Sequence, residues 1–420
     1  MRNKILFFSY FKLVLASSVI AFLCCLLAFL LKQLTEYTQH LFFLGAQQQH
    51  VYLFVILPSM GITAIYFLRK YVFHNRKNKG IKEIYTTLET RKDHLPVFKI
   101  PSHFINGFLT VVFGGSTGIE VSTVVSTATI GNQIYKRRLM PLAFKKACIC
   151  AGVVAGVTVL FGSAIGGWLF AIEVIAKKFQ KKVVVSATVS ALIAFFFIQY
   201  VGSPYLIPMS AAVWQWKALP YMMLLAVLAG LLATYFTQIV IFCKHWFSGI
   251  SNNFLRVNLG ALAVGILIVG FPSLYGDSYH GLVDMLRTFT FSGIHLPGSL
   301  PLTLAALFLL KPIAASLTLG AGGDGGVFAP SIVAGAFLGI LFAYLCNTYL
   351  GFEFLVVNFA LIGAAATLAA AIHGPMTAIF LICSLAPNGY QLLFPLGMAA
   401  FSAYMLSKKI CSYNVYSYQG

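Results

Sequence analysis

Charge is what this 420-residue sequence has least of: Asp, Glu, Lys and Arg together supply 9% of its residues, against about a quarter in a soluble domain. So few charges cannot cover a water-facing surface, and a soluble enzyme is excluded. Acidic residues are scarcer still, 10 against 29 Lys and Arg, too few to line the sites of a cation-coupled transporter. Metal-binding patterns are missing as well. The eight cysteines contain no CxxC and the nine histidines no HExxH, so no metal, no cofactor and no enzymatic activity is expected, and an integral-membrane enzyme acting on lipid is left without a nucleophile or metal cluster. Strict period-2 alternation, the mark of an outer-membrane barrel, is also absent.

What remains is apolar. Hydrophobic residues make up 59% of the chain and fall in blocks at about 11–31, 49–68, 101–113, 146–161, 183–201, 218–245, 257–270, 301–320, 327–348, 355–372 and 376–407. Several reach the ~20 residues a spanning helix needs, which predicts an all-α polytopic membrane protein embedded in a lipid bilayer. All eight cysteines lie in or beside these blocks and read as small buried hydrophobes. Basic residues cluster in the short polar stretches: Arg2 and Lys4, Arg69 to Lys99, Lys136 to Lys146, Lys177 to Lys182, and Lys408 with Lys409. Beside apolar spans such clusters act as cytoplasmic anchors rather than nucleic-acid contacts, so an inner (plasma) membrane protein with both termini in the cytoplasm is expected. The N-terminus has a basic start without a small-residue cleavage site, and its first apolar stretch is expected to be retained as a helix. No polar stretch is long enough for a soluble domain, so residues 1–420 are expected to form a single transmembrane domain.

A repeat organises the chain. The stretch Gly114-Gly115-Ser116-Thr117-Gly118-Ile119-Glu120-Val121-Ser122-Thr123 lines up with Gly322-Gly323-Asp324-Gly325-Gly326-Val327-Phe328-Ala329-Pro330-Ser331, an offset of 208, and the small-residue run from Gly152 to Gly167 lines up with that from Gly363 to Ala378, an offset of 211. Two homologous halves, about 1–201 and 218–420, follow. In each, glycine-rich chain abuts an apolar run. Lipid cannot hydrogen-bond free backbone, so such chain survives at membrane depth only inside protein or along a cavity. These are expected to be broken helices whose first N–H groups, with the helix dipole, can hold an anion. The alternative is that the glycines serve only close helix packing.

Of the acidic residues only Glu120, Glu173 and Asp324 sit among apolar or glycine-rich segments, and a carboxylate inside the membrane points to function. Glu120 opens a helix at one candidate anion site: ionised, it can occupy the site itself, and protonated it can leave. Otherwise it only complements the helix dipole. Glu173 stands before Lys177 and Lys178, where a salt bridge to the next turn is as plausible as a functional role. Asp324 precedes the second helix start, in a position suited to capping or to substrate contact.

These residues resemble the CLC family of chloride channels and proton/chloride antiporters. Gly322 to Pro330 is similar to the family's G-x-F-x-P signature with its preceding glycines. Gly118-Ile119-Glu120-Val121-Ser122 resembles G-[KR]-E-G-P with the gating glutamate at Glu120, although Ile119, Val121 and Ser122 depart from it. Gly80-Ile81-Lys82-Glu83-Ile84 resembles the end of the G-S-G-I-P signature, and Tyr416 stands 21 residues beyond Pro395, the spacing to the family's pore tyrosine. The resemblance implies a homodimer of independent pores, each protomer built from inverted halves. It also implies a small anion, such as chloride, held by backbone N–H groups at Ile119, Glu120, Val327 and Phe328 and by the Tyr416 hydroxyl.

Two departures bear on mechanism. Lys79 stands where the family has an anion-coordinating serine, so it either adds positive charge to the inner pore or is solvated. Val174 stands where the family has its inner proton-transfer glutamate, with Glu173 one residue away as a possible relay. A valine cannot carry a proton, so passive, channel-like conduction gated by Glu120 is the expectation. Proton-coupled chloride or fluoride antiport is the alternative, since water can replace a missing relay.

Overall fold

The computed structural model describes residues 2–49, 51–74, 76, 78–90, 94–136, 141–202, 205–291 and 299–418. Asp93 and the basic residues Lys77, Arg91, Lys92, Arg137 and Arg138 lie outside them. Among the described residues sixteen α-helices follow one another: α1 Arg2–Gln49, α2 Leu53–Phe67, α3 Ile81–Glu89, α4 Lys99–Val112, α5 Glu120–Ile134, α6 Lys145–Phe161, α7 Ala164–Leu169, α8 Lys181–Val201, α9 Leu219–Ser248, α10 Asn253–Gly270, α11 Tyr279–Phe291, α12 Leu300–Ala321, α13 Phe328–Leu350, α14 Val356–Ile372, α15 Pro375–Cys383 and α16 Leu393–Ile410. Among the described residues seven helices are long and apolar enough to cross a membrane. The α1 helix alone would reach about 72 Å at 1.5 Å per residue, more than twice a ~30 Å hydrocarbon core. The block read as 376–407 divides into α15 and α16.

The two offsets recur in the helices. Residue for residue, α6 and α14 are the same element 211 positions apart, and α5 and α13 both begin 208 positions apart. Each pair forms the centre of its half: α5 packs on α6, and α13 on α14. These four are buried because they are made of small and β-branched residues that let backbones approach. A Cβ on Gly335 would collide with the carbonyl oxygen of Gly363, and one on Gly363 with that of Gly335. Close packing, the alternative reading of such glycines, is the role of this pair.

Helix α5 (EVSTVVSTATIGNQI) would be a weak helix former in water, being rich in Thr, Ser and Val. Surrounded by apolar protein, its backbone has no water to turn to, and helix is the conformation that satisfies it internally. Its hydroxyls join the ladder: Thr123 Oγ1 donates to the Ile119 carbonyl at 3.0 Å, Thr127 Oγ1 to that of Thr123 at 2.9 Å, and Thr129 Oγ1 to that of Val125 at 2.6 Å. These three buried threonine hydroxyls are thereby satisfied within α5, whereas Ser126 Oγ donates to the Ile100 carbonyl of α4 at 3.3 Å.

Candidate functional site

The site forms where the two glycine-rich loops cross. Gly114 and Gly322 take positive φ (+86° and +108°), which ends α4 and α12 and turns each chain back on itself. The following amides close the turn, Gly115 N–H to the Thr110 carbonyl at 2.7 Å and Gly323 N–H to the Thr318 carbonyl at 2.9 Å. The halves then brace each other reciprocally. Ser116 N–H donates to Thr318 Oγ1 at 3.0 Å, Asp324 N–H donates to Thr110 Oγ1 at 2.9 Å, and Gly118 pairs antiparallel with Gly326. Every partner in this set is the other's equivalent at offset 208. Exchange of equivalent residues is what a local two-fold axis produces, and an antiparallel pair places the halves in opposite senses.

From this crossing α5 and α13 depart. The first intrahelical bonds are Thr123 N–H to the Ile119 carbonyl (2.8 Å) and Ser331 N–H to the Val327 carbonyl (3.0 Å). Pro330 has no N–H, so the amides preceding these bonds, at Glu120 to Ser122 and at Phe328 and Ala329, are the helix-start donors. Neither helix has a side-chain cap. Ile119 and Val327 occupy the two N-cap positions, so all four sequence-derived backbone donors lie at these starts. Glu120 is buried at 4% exposure. Its carboxylate lies against the amides of Ala329 and of its own residue, and a Cβ on Gly118 would strike it. Oε2 has no hydrogen-bond partner among the described residues. A carboxylate folded back onto two helix starts stands where an anion would be held.

Tyr416 approaches from the other side. Its hydroxyl faces the Val327 amide, its ring lies 6.1 Å from that of Phe328, and the buried hydroxyl has no hydrogen-bond partner among the described residues. It forms the deep end of a cavity of about 410 Å³ together with Val121 and Val327. The exposed rim carries Lys79, Lys82, Lys244 and His245. Lys79 therefore lines the same cavity as Tyr416. Its backbone N–H is engaged by the Glu83 carboxylate, so positive charge on the side chain is what this position brings to the rim. Glu83 itself is buried and ion-paired with Lys99 at 2.8 Å, a pairing that fixes the loop.

Three sequence expectations change in the structure. Glu173 makes no salt bridge to the next turn: its carboxylate accepts from Thr377 N–H (2.7 Å), Thr377 Oγ1 (2.6 Å) and Met376 N–H (3.2 Å), capping α15 in the other half. Asp324 does not cap α13. It points behind the loop to Asn78 Nδ2 at 2.6 Å, His103 Nδ1 at 3.2 Å and Arg69 at 3.8 Å. Glu83, read as a polar-loop residue, is buried. Val174 is buried beside Gly374, and its carbonyl accepts from Tyr85 Oη at 3.0 Å. Sequence reasoning missed the fully buried Lys311 and His103. Lys311 had a visible signal, a charge inside the apolar block 301–320.

The comparisons with known proteins agree with this architecture. Residues 60–408 match the family described as voltage gated chloride channel. A ClcB-like chloride channel protein of Ralstonia nicotianae is 28% identical over 73% of this chain and 71% of its own length. The voltage-gated ClC-type chloride channel ClcB of Escherichia coli O81 is 26% identical over 73% and 72%. Among solved structures, a CLC-type fluoride/proton antiporter has a TM-score of 0.80 at 22% identity, and a slow cyanobacterial Cl⁻/H⁺ antiporter 0.81 at 19%, each covering 96% of both chains. Among the described residues no group of three His, Cys, Asp or Glu side chains is placed to hold a metal ion. Two halves braced across a two-fold crossing, paired helix starts at its centre and a family match over most of the sequence lead to one assignment: the chain belongs to the voltage-gated chloride channel (CLC) family of anion-transporting membrane proteins.

Proposed function

We propose that this protein exchanges protons for chloride or a similar small anion, and that Glu120 is the group at which the two meet. The observation that carries this is the buried Glu120 carboxylate, which lies on the amides of the two helix starts. Ionised, it competes with an anion for those donors. Protonated, it loses that attraction and yields the place. Anion entry and proton binding are then linked at one site, which favours exchange over leak. The solved antiporters of similar fold support the same reading, whereas the sequence relatives named as channels favour passive conduction as the second reading.

Val174 argued for a channel because it cannot relay a proton. The cavity offers another route, since it reaches Tyr416 and Val121, next to Glu120, and has room for a file of waters. Glu173 is held by three donors as a helix cap and is not needed as a relay. The anion is assigned to the N–H groups at Ile119, Glu120, Val327 and Phe328 and to the Tyr416 hydroxyl, with Lys79 drawing it to the rim. A homodimer in the inner membrane with cytoplasmic termini completes the proposal.

The test is reconstitution into vesicles with a chloride gradient imposed and external pH recorded, with fluoride run in parallel. Uphill proton movement in fixed proportion to the anion is expected. Anion flux that collapses the gradient without moving protons would make the protein a channel.

A further inference from the structure

Tyr416 is carried by a segment with no helix of its own. After α16 ends at Ile410, residues 412–418 run as a bend and a turn. Even so, the Tyr416 ring is held against Phe328 at the start of α13, and a Cβ on Gly326 would come within 3.5 Å of its hydroxyl. Such a segment opens locally at little cost unless something ties it down. The tie is Asn414, buried at 7% exposure. Its Oδ1 accepts the N–H groups of Tyr416 at 3.0 Å and of Ser417 at 2.8 Å, an Asx turn in which a side chain stands in for a backbone carbonyl. Its Nδ2 donates to the carbonyl of Ile372, the last residue of α14, at 2.8 Å. Among the described residues this is the one hydrogen bond that joins residues 411–418 to any helix but α16. The N–H and carbonyl of Asn414 bond Ser417 and Tyr418 inside the turn.

We infer that Asn414 is a positioning residue for anion binding: one side chain both shapes the turn that presents Tyr416 and fastens that turn to α14, and so sets where the Tyr416 hydroxyl meets the anion. Helix α14 packs on α13, whose first amides are the anion's other donors in this half. A tie to α14 therefore fixes the hydroxyl relative to those amides. Hydrogen bonds weaken steeply with distance and misalignment, so a displaced turn would lose the hydroxyl as a donor while leaving α13 intact. The contact with the Phe328 ring cannot replace the tie, since apolar contact is not directional. An amide suits both tasks because it carries an acceptor and donors on one short side chain. Aspartate has no donor for the Ile372 carbonyl, and serine can serve the turn but falls short of α14.

This rests on the Tyr416 hydroxyl being a donor to the anion, and the measurement is chloride binding to the purified protein in detergent, followed by titration calorimetry. Tyr416→Phe sets the scale, with binding about tenfold weaker. Asn414→Ala should weaken binding to a similar degree. Added to Tyr416→Phe it should change little, because the donor it positions is already gone. Asn414→Ser keeps an oxygen for the turn and loses the tie to Ile372, so its binding should fall between the wild type and Asn414→Ala. It supplies the result if the Ala variant does not fold. Unchanged chloride binding in either folded Asn414 variant, even with a lowered melting temperature, would make the residue structural only and overturn the proposal. So would a loss from Asn414→Ala that is as large with Tyr416→Phe present as without it. Binding that is unchanged by Tyr416→Phe itself would instead show that the hydroxyl does not hold the anion, a failure of the reading beneath.

Discussion

At the scale of single residues, the geometry makes Glu120 and Lys79 separable. Glu120→Gln keeps the size and shape of the buried side chain but removes its charge for good, so it should hold the protonated state at every pH. Anion flux is expected to be large and nearly flat with pH, and coupled proton movement should vanish. A Gln variant whose flux still rises on acidification would place the gate elsewhere. Lys79→Ser supplies a hydroxyl and removes a rim charge. Exposed charges act weakly, at about 0.3–1 kcal/mol each, so the half-saturating chloride concentration should rise by roughly two- to five-fold. An unchanged value over a wide chloride range would mean that Lys79 is a solvated loop residue. Glu120 was legible in the sequence because a lone carboxylate in an apolar, glycine-flanked run is costly to bury and persists where it has work to do. His103 was not legible: its partner Asp324 lies 221 residues away, and only the folded crossing brings the two together.

At the scale of elements, the load falls on the reciprocal threonines. Thr110 and Thr318 each bond their own helix, to the Asn106 carbonyl at 2.7 Å and the Ala314 carbonyl at 2.9 Å, and each accepts an amide from the opposite loop. Replacing either with Val keeps the volume and strands a buried N–H, which costs about 1–3 kcal/mol. Thr110→Val and Thr318→Val should lower thermal stability by similar amounts, and together by a sum that departs from additivity, because both act on one crossing. Thermal denaturation in detergent measures this; a Val pair as stable as the wild type would show that the braces are idle. The helix positions and the 208 and 211 offsets were readable from the letters because hydropathy and glycine spacing are local. The braces were not readable, since a threonine in an apolar helix looks the same whether it bonds its own turn or a loop from the other half. The salt bridge expected of Glu173 gave way for the same reason, its partners being the first amides of α15.

The whole molecule carries a strong surplus of positive charge, +19 with His neutral, and part of that surplus is gathered at the mouth of the cavity that reaches Tyr416. Among the described residues Lys79, Lys82, Lys244 and His245 are on the cavity rim, and no Asp or Glu lines the cavity. A mouth of one sign walled by apolar protein focuses its potential and raises the local anion concentration. The proposed exchange of a proton for an anion would move net charge across the membrane, so its transport can be followed as current. Chloride titrated on one face of a planar bilayer should then reveal two different mouths, with the tighter half-saturation on the rim-lysine face. Lys82→Gln combined with Lys244→Gln should weaken that face by several-fold and leave the opposite face unchanged. The difference should also shrink as an impermeant salt is raised toward 1 M, where the Debye length falls to about 3 Å and exposed charges no longer act at a distance. Equal weakening on both faces would mean that the two lysines act on the central site rather than on entry. A face difference that survives high salt would assign the asymmetry to the site itself.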